Sequence, residues 1–84
     1  MYKIIFRPQA EKELKKLSVS IQLQIIHKLK YFLSSSDPLH FASSLKDHDL
    51  GSYRFRIGDY RVIFDLEEET LAILSVGHRR EIYK

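Results

Sequence analysis

The stretch YRFRIGDYRVIF, residues 53–64, decides the fold because it reads as two short strands joined by a two-residue turn at Gly58-Asp59. Glycine at the first central position of such a loop is typical of a type II′ turn. The turn fixes the register and sets Arg56 directly opposite Arg61. One face of the predicted hairpin is then wholly apolar and is formed by Tyr53, Phe55, Ile57, Tyr60, Val62 and Phe64.

The other face of the predicted hairpin carries Arg54, Arg56 and Arg61. Facing like charges destabilise a β-ladder, and at ~5 Å two cations repel by roughly 3 kcal/mol at an effective dielectric of about 20. An anion between them would reverse that effect, and guanidinium groups bind phosphate through paired hydrogen bonds. The face is thus a candidate phosphate site, and the alternative is that Asp65 and Glu69 neutralise it.

Two amphipathic helices are predicted in the first half of the chain. A strand over residues 2–7 leads into a helix over residues 8–17, and a second helix follows a cap at Ser18 or Ser20 and stops at residues 34–38. Helices joined by so short a link pack as an antiparallel hairpin. The apolar positions of the second helix keep a spacing of three or four residues and are Ile21, Ile25, Leu29 and Phe32.

The remaining segments complete a small α+β fold. Residues 39–52 read as a loop, residues 70–77 are apolar on both faces as in a central strand, and residues 78–84 form a charged tail. The predicted order is β-α-α-β-β-β over a single domain, residues 1–84. An antiparallel-rich sheet carries the helical hairpin on one face and leaves the other face to the arginines.

Composition excludes several classes of protein. The chain has 84 residues, 44% of them hydrophobic, and no cysteine, which excludes disulfides and thiolate metal sites. Neither a signal peptide nor a run of the ~20 apolar residues that a membrane helix needs is present, so we predict a cytoplasmic protein without a membrane partner. The histidines lack the spacing of metal ligands, and we expect neither metal nor cofactor; they are His27, His40, His48 and His78.

The charge of the chain is unevenly distributed. The net charge is +3, but Asp65 and residues 67–69 hold four of the 11 acidic residues. Removing those four leaves 7 acidic against 14 basic residues, a balance of +7 for the rest of the chain. A cationic surface of this kind favours a polyanion such as nucleic acid, although an ordinary basic surface explains the charge equally well.

The chain resembles the RelE/ParE toxin superfamily of type II toxin–antitoxin modules along essentially its whole length. The resemblance is carried by GDYRVIF at residues 58–64, SVGHR at residues 75–79 and EIY at residues 81–83. It implies the RelE-like fold and a cognate antitoxin partner. Toxins of the RelE branch cut mRNA in the ribosomal A site, whereas those of the ParE branch poison DNA gyrase.

The RelE branch has a set of functional positions that this chain fills. Its two alternating basic residues before the turn correspond to Arg54 and Arg56, the arginine after the turn to Arg61, the arginine after the last strand to Arg79, and the closing tyrosine to Tyr83. The chain has arginine at two places where the best-studied branch prefers lysine. Because guanidinium rarely loses its proton, those arginines suit charge stabilisation better than base catalysis.

The predicted chemistry is metal-free RNA cleavage, in which a 2′-OH attacks its own 3′-phosphate. The arginines of the hairpin would stabilise the charge on phosphorus, and Tyr83 would accept the 2′-OH proton. Arg79 would contact the phosphate or assist the leaving group, Arg80 would add a phosphate contact, and His78 is the second candidate for proton transfer. The predicted partners are mRNA, the ribosome and an antitoxin. The alternative is a non-enzymatic gyrase inhibitor or an inactive RNA-binding relative.

Overall fold

The fold is that of a small α+β domain, seen in a computed structural model that describes residues 1–46 and 50–83. His48, in the predicted loop, and Lys84, at the end of the predicted tail, lie outside the described residues. The elements in chain order are β1 (Lys3–Phe6), α1 (Pro8–Lys15), α2 (Val19–Leu33), a 3-10 helix (Pro38–Phe41), β2 (Ala42–Ser44), β3 (Tyr53–Ile57), β4 (Tyr60–Glu67) and β5 (Thr70–His78).

Within the described residues the strands form one five-stranded sheet in the order β1-β5-β4-β3-β2. β1 pairs with β5 in parallel, and the other neighbours are antiparallel. The predicted fold class and the central position of the last strand are therefore confirmed.

The prediction of a simple loop over residues 39–52 was wrong for its first part, which forms the 3-10 helix and β2. The polar sequence of β2 gives no strand signal, and pairing with β3 decides its conformation, with Ala42 opposite Phe55. Phe41 anchors this segment by stacking on Phe32 of α2 with ring centroids 4.8 Å apart. Residues 47–49 of the predicted loop lie outside the described part of the chain.

The two helices begin as the sequence indicates. Pro8 occupies the first turn of α1, where its missing N–H would have had no acceptor. Ser18, rather than Ser20, caps α2: its Oγ accepts a hydrogen bond from the backbone N–H of Ile21 at 3.3 Å. Both helices lie on one face of the sheet and enclose the main core. Its buried residues are Ala10, Ile25, Leu29, Phe32, Phe55, Ile57, Val62, Phe64, Leu71, Ile73 and Val76.

The opposite face of the sheet is shared between the arginines and a small apolar contact. Ile63 is fully buried there although it lies outside the main core. A Cβ added to Gly51 would lie 2.7 Å from Ile63 and 2.9 Å from Leu74, so the backbone at Gly51 covers this part of the face. A register shift between Ile63 and Phe64 makes Leu74 the extra residue of a bulge in β5.

None of the helices described here, over residues 1–46 and 50–83, combines the length and the hydrophobicity that crossing a bilayer requires.

Candidate functional site: an arginine face with a tyrosine hydroxyl

The β3–β4 hairpin has the predicted register, which brings the arginines together. Arg56 is paired with Arg61, and Arg54 is paired with Ile63. Gly58 has φ +60°, and Asp59 is not among the residues with positive φ, as a type II′ turn requires. The apolar side chains of both strands other than Ile63 face the helices, so the guanidinium groups leave the sheet on the other side.

We call the sheet face that carries Arg54, Arg56 and Arg61 the arginine face. The predicted alternative, in which carboxylates neutralise this face, is not what the structure shows. The Asp65 carboxylate instead accepts a hydrogen bond from the backbone N–H of Ser52 at 2.8 Å. Glu69 pairs with the N-terminal amine at 3.3 Å, and Glu67 pairs with Arg7 at 3.4 Å. In the described part of the chain, no carboxylate lies within ion-pair distance of the hairpin arginines.

Arg61 is held by the turn that precedes it. Its Nη1 donates to the carbonyl oxygen of Gly58 at 3.0 Å and to that of Tyr60 at 2.9 Å. These bonds fold the side chain back over the hairpin end and fix the direction of the guanidinium plane. Arg56, its cross-strand partner, is exposed, and its guanidinium has no hydrogen-bond partner among the described residues.

The structure places Tyr83 on the arginine face, next to Arg54. Arg54 Nη1 donates a hydrogen bond to the Tyr83 hydroxyl at 2.9 Å, and the guanidinium carbon lies 6.0 Å from the centre of the ring. Arg54 Nε is buried and has no hydrogen-bond partner in the described residues. A buried donor without an acceptor is costly unless a ligand or water supplies one.

The segment that carries Tyr83 is docked onto the end of the sheet. The backbone N–H of Arg79 donates to the Asp59 carbonyl at 2.8 Å, and Arg79 Nε lies 3.8 Å from Asp59 Oδ1. The backbone N–H groups of residues 81 and 82 donate to the carbonyl of His78 at 2.8 and 3.0 Å. These contacts turn the chain back over β5, toward the arginines.

His78 and Arg80 are not brought next to Arg54 and Tyr83 in the described structure. His78 is paired with Tyr60, and their rings meet edge to face at 5.4 Å. Because paired residues share a sheet face and Tyr60 packs against the main core, the His78 ring lies on the helix side. The backbone N–H of Arg80 donates to His78 Nδ1 at 3.1 Å. The Arg80 residue is exposed, and no contact with Arg54 is seen among the described residues.

Asp59 is the site residue that sequence reasoning missed. It was assigned only a turn position, yet its carbonyl and its carboxylate both meet Arg79. The available signal was an acidic residue at the tip of a hairpin otherwise rich in arginine. The arrangement as a whole offers several fixed cations and one hydroxyl around a surface open to a large ligand. Such a surface can bind a phosphodiester and stabilise added negative charge on it.

The comparisons with known proteins concern the family of the chain. Residues 4–83 match the family model for the ParE toxin of the type II toxin-antitoxin system parDE. The chain is 29% identical to Toxin RelG of Mycobacterium tuberculosis, over 99% of this chain and 97% of that protein.

Solved structures give the same result. A chain of the M. tuberculosis RelBE2 toxin–antitoxin complex is 28% identical and superposes with a TM-score of 0.76, covering 93% of this chain and 98% of that one. The isolated Escherichia coli RelE toxin is 26% identical, with a TM-score of 0.72 over 99% of this chain and 92% of that one. The chain belongs to the RelE/ParE family of toxins of type II toxin–antitoxin systems.

Proposed function

We propose that this toxin is an endoribonuclease that cuts mRNA on the ribosome. The observation that carries the proposal is the hydrogen bond between Arg54 and the Tyr83 hydroxyl on the face that also holds Arg56 and Arg61. A gyrase poison or a passive RNA binder has no need of a hydroxyl fixed beside a phosphate site. The proposal places the toxin in the cytoplasm, with the ribosome and mRNA as partners.

In the proposed reaction the 2′-oxygen of one nucleotide attacks its own 3′-phosphorus. The new bond joins the 2′-oxygen to phosphorus, the bond to the 5′-oxygen of the next nucleotide breaks, and the products are a cyclic phosphate and a 5′-hydroxyl. Tyr83 in its phenolate form takes the 2′-OH proton at the phenol oxygen, next to the positive charge of Arg54, and the leaving 5′-oxygen takes a proton from water. Arg56 and Arg61 bind the phosphate oxygens as charge develops on them.

Arg79 is the candidate for assisting the leaving 5′-oxygen. Its Nε lies 3.8 Å from Oδ1 of Asp59 in the β3–β4 turn. Arg61 lies at the same end of β4. His78 lies on the helix side and would have to move to take part, so Tyr83 is the better candidate for the proton acceptor.

The ribosome has a definite task in this proposal. Tyr83 is 46% exposed and Arg56 is exposed, so these side chains lie open to solvent and do not by themselves hold a flexible RNA strand in line for attack. Positioning of the reacting groups contributes several orders of magnitude to such a reaction. In this proposal the ribosome holds the mRNA in the position that the attack requires.

We also propose a cognate antitoxin as the protein partner. The similar M. tuberculosis chain comes from a toxin–antitoxin complex. A segment that covers the arginine face would block access to mRNA, and acidic side chains in it would complement the arginines.

The test is primer extension on a defined mRNA in a reconstituted translation system, with and without ribosomes. We expect cleavage by the wild type only when ribosomes are present, and a loss of about 10²-fold or more for Tyr83→Phe, the usual scale for a general acid or base. The variant keeps the ring, so its melting temperature should match that of the wild type. Full cleavage by Tyr83→Phe would remove Tyr83 from the mechanism.

Inhibition of DNA gyrase is the second candidate, because the matching family model is that of the ParE toxin. A supercoiling assay with purified gyrase, run with the same protein preparations, distinguishes the two functions. Inhibition of supercoiling without mRNA cleavage would establish the gyrase target and contradict the nuclease proposal.

A further inference from the structure

Glu13 joins α1 to β5 through one carboxylate. Its Oε1 accepts hydrogen bonds from Ser75 Oγ and from the backbone N–H of Val76, each at 2.9 Å and part-buried. Its Oε2 accepts from Gln9 Nε2 at 3.3 Å. The residue therefore connects parts of the chain that are 62 and 63 positions apart.

The Glu13 carboxylate accepts a backbone hydrogen bond from β5 at a point where no neighbouring strand is paired along its outer edge in the described residues. β1 pairs with β5 only as far as Phe6 and Ile73, and the backbone N–H of Arg7 donates to the Ile73 carbonyl at 2.9 Å. Beyond that point no strand in the described residues continues along the outer edge of β5. A shielded N–H of Val76 without an acceptor there would be costly, and Glu13 supplies one.

The stretch that Glu13 holds leads directly into the segment with Tyr83. A Cβ added to Gly77 would lie 3.2 Å from Ile82 Cδ1, so the Ile82 side chain packs on the bare backbone of Gly77. Glu13, Gly77 and Ile82 line the same small cavity of about 250 Å³. A shift of residues 75–77 would be passed through Ile82 to the adjacent Tyr83.

Glu13 is not needed merely to hold α1 on the sheet. Ala10 of the same helix is fully buried in the core, and Leu14 packs against that core. The Glu13 contacts instead meet β5 at Ser75 and Val76, close to the end of the strand at His78 and just before residues 79–83. Their effect is therefore local to the end of β5.

We propose that Glu13 is a positioning residue for the proposed nuclease site, acting through Ser75 and Val76 to hold the Tyr83 segment against the arginine face. The inference rests on the proposed function where cleavage is concerned. The anchoring of residues 76–83 is a property of the free protein and can be measured without a substrate.

The experiment combines hydrogen exchange with single-turnover cleavage on programmed ribosomes. For Glu13→Ala we expect the amides of residues 76–83 to exchange about tenfold faster while those of α2 are unchanged. We expect the cleavage rate at saturating toxin to fall about tenfold with no change in the half-saturating concentration, because misplacement of Tyr83 affects the chemical step.

Matched variants separate the hydrogen bonds from charge and helix stability. Glu13→Gln keeps an oxygen that can accept from both Ser75 and Val76 and should restore slow exchange and cleavage. Ser75→Ala removes one of the two bonds and should give a smaller change of the same kind. Glu11→Ala removes an exposed carboxylate of the same helix that pairs only with Lys15 in the described residues, and should resemble the wild type.

Wild-type exchange over residues 76–83 in Glu13→Ala would overturn the inference, as would a Glu13→Gln variant as impaired as Glu13→Ala. A uniform rise in exchange throughout Glu13→Ala would show that Glu13 stabilises the whole protein. In that case, unchanged exchange of residues 76–83 in Ser75→Ala would overturn the proposed anchoring of this segment. If the wild type does not cleave mRNA, the proposed function fails, and exchange alone decides whether Glu13 anchors the segment.

Discussion

Arg56 and Arg61 face each other across β3 and β4, but their surroundings differ. Arg61 donates to the carbonyls of Gly58 and Tyr60, whereas the exposed side chain of Arg56 forms no hydrogen bond or ion pair within the described residues. A guanidinium that is already oriented loses little freedom when it binds a phosphate. At the scale of single residues, Arg61 is therefore the better organised of the two cations.

Arg61→Ala should lower mRNA cleavage by roughly 10²-fold, the scale for losing one preorganised group that stabilises developing charge. Arg56→Ala should cost about tenfold, because that side chain must first be ordered. The melting temperature of Arg61→Ala should change by less than about 5 °C, since the lost hydrogen bonds are offset by relief of repulsion from Arg56.

The measurements are single-turnover cleavage and thermal unfolding followed by circular dichroism. A fall of more than about 10 °C for Arg61→Ala would show that Arg61 mainly stabilises the fold. Equal activity losses for the two variants would contradict the role of the turn carbonyls in orienting Arg61.

The pairs within the hairpin could be predicted from sequence because Gly58-Asp59 permits only one register for so short a loop. The face of His78 could not be predicted in the same way. It depends on the register between β4 and β5, which contains the bulge at Leu74. The contact of Arg79 with Asp59 could not be predicted either, because it joins two turns that are distant in sequence.

Among the elements, the β3–β4 turn has the most demanding geometry. Gly58 has φ +60°, and a Cβ there would lie 3.1 Å from Gln24 Nε2 of α2. The carbonyls of this turn hold both Arg61 and the backbone of Arg79. A change of turn conformation should therefore affect stability and activity together.

Gly58→Ala should destabilise the protein by about 1–2 kcal/mol, the cost of a positive φ in a residue with a side chain. For a domain of this size that corresponds to a fall of roughly 5–10 °C in melting temperature. The control is the same change combined with Gln24→Ala, which removes the neighbour but leaves the backbone strain. A melting temperature restored by Gln24→Ala would mean that crowding, rather than φ, causes the loss.

The helices and the long strands were predictable because their apolar spacing extends over many residues. β2 was not, since its three residues gain their conformation only from pairing with β3 and from the stacking of Phe41 on Phe32. Short edge strands of this kind depend on tertiary contacts that one sequence does not display.

For the whole molecule, the important feature is the separation of charge along β4. The arginine turn lies at one end of this strand, and the acidic residues 67–69 lie at the other, next to Arg7 and the N-terminal amine. Because these carboxylates are far from the arginine face, they do not weaken its field at close range. For residues 67–69, the uneven charge seen in the sequence is therefore also a separation in space.

Binding of the proposed antitoxin should weaken as salt rises, by about tenfold or more between roughly 0.1 M and roughly 0.5 M ionic strength, because salt screens exposed charges. Isothermal titration calorimetry measures this directly. Arg56→Gln should bind more weakly at low salt and show a shallower salt dependence. An affinity that stays constant over this range would exclude the arginine face as an electrostatic docking surface.

The parallel pairing of β1 with β5 also has a consequence for synthesis. The helical pair and the β3–β4 hairpin involve neighbours in sequence and can form while the chain is being translated. β1 must wait for β5, because a pairing between the first and last strands is formed late and at high entropic cost. The segment after β5 carries Tyr83 and docks later still. The sheet is therefore completed only after β5 has been made, and the contact of Tyr83 with Arg54 can form only after that.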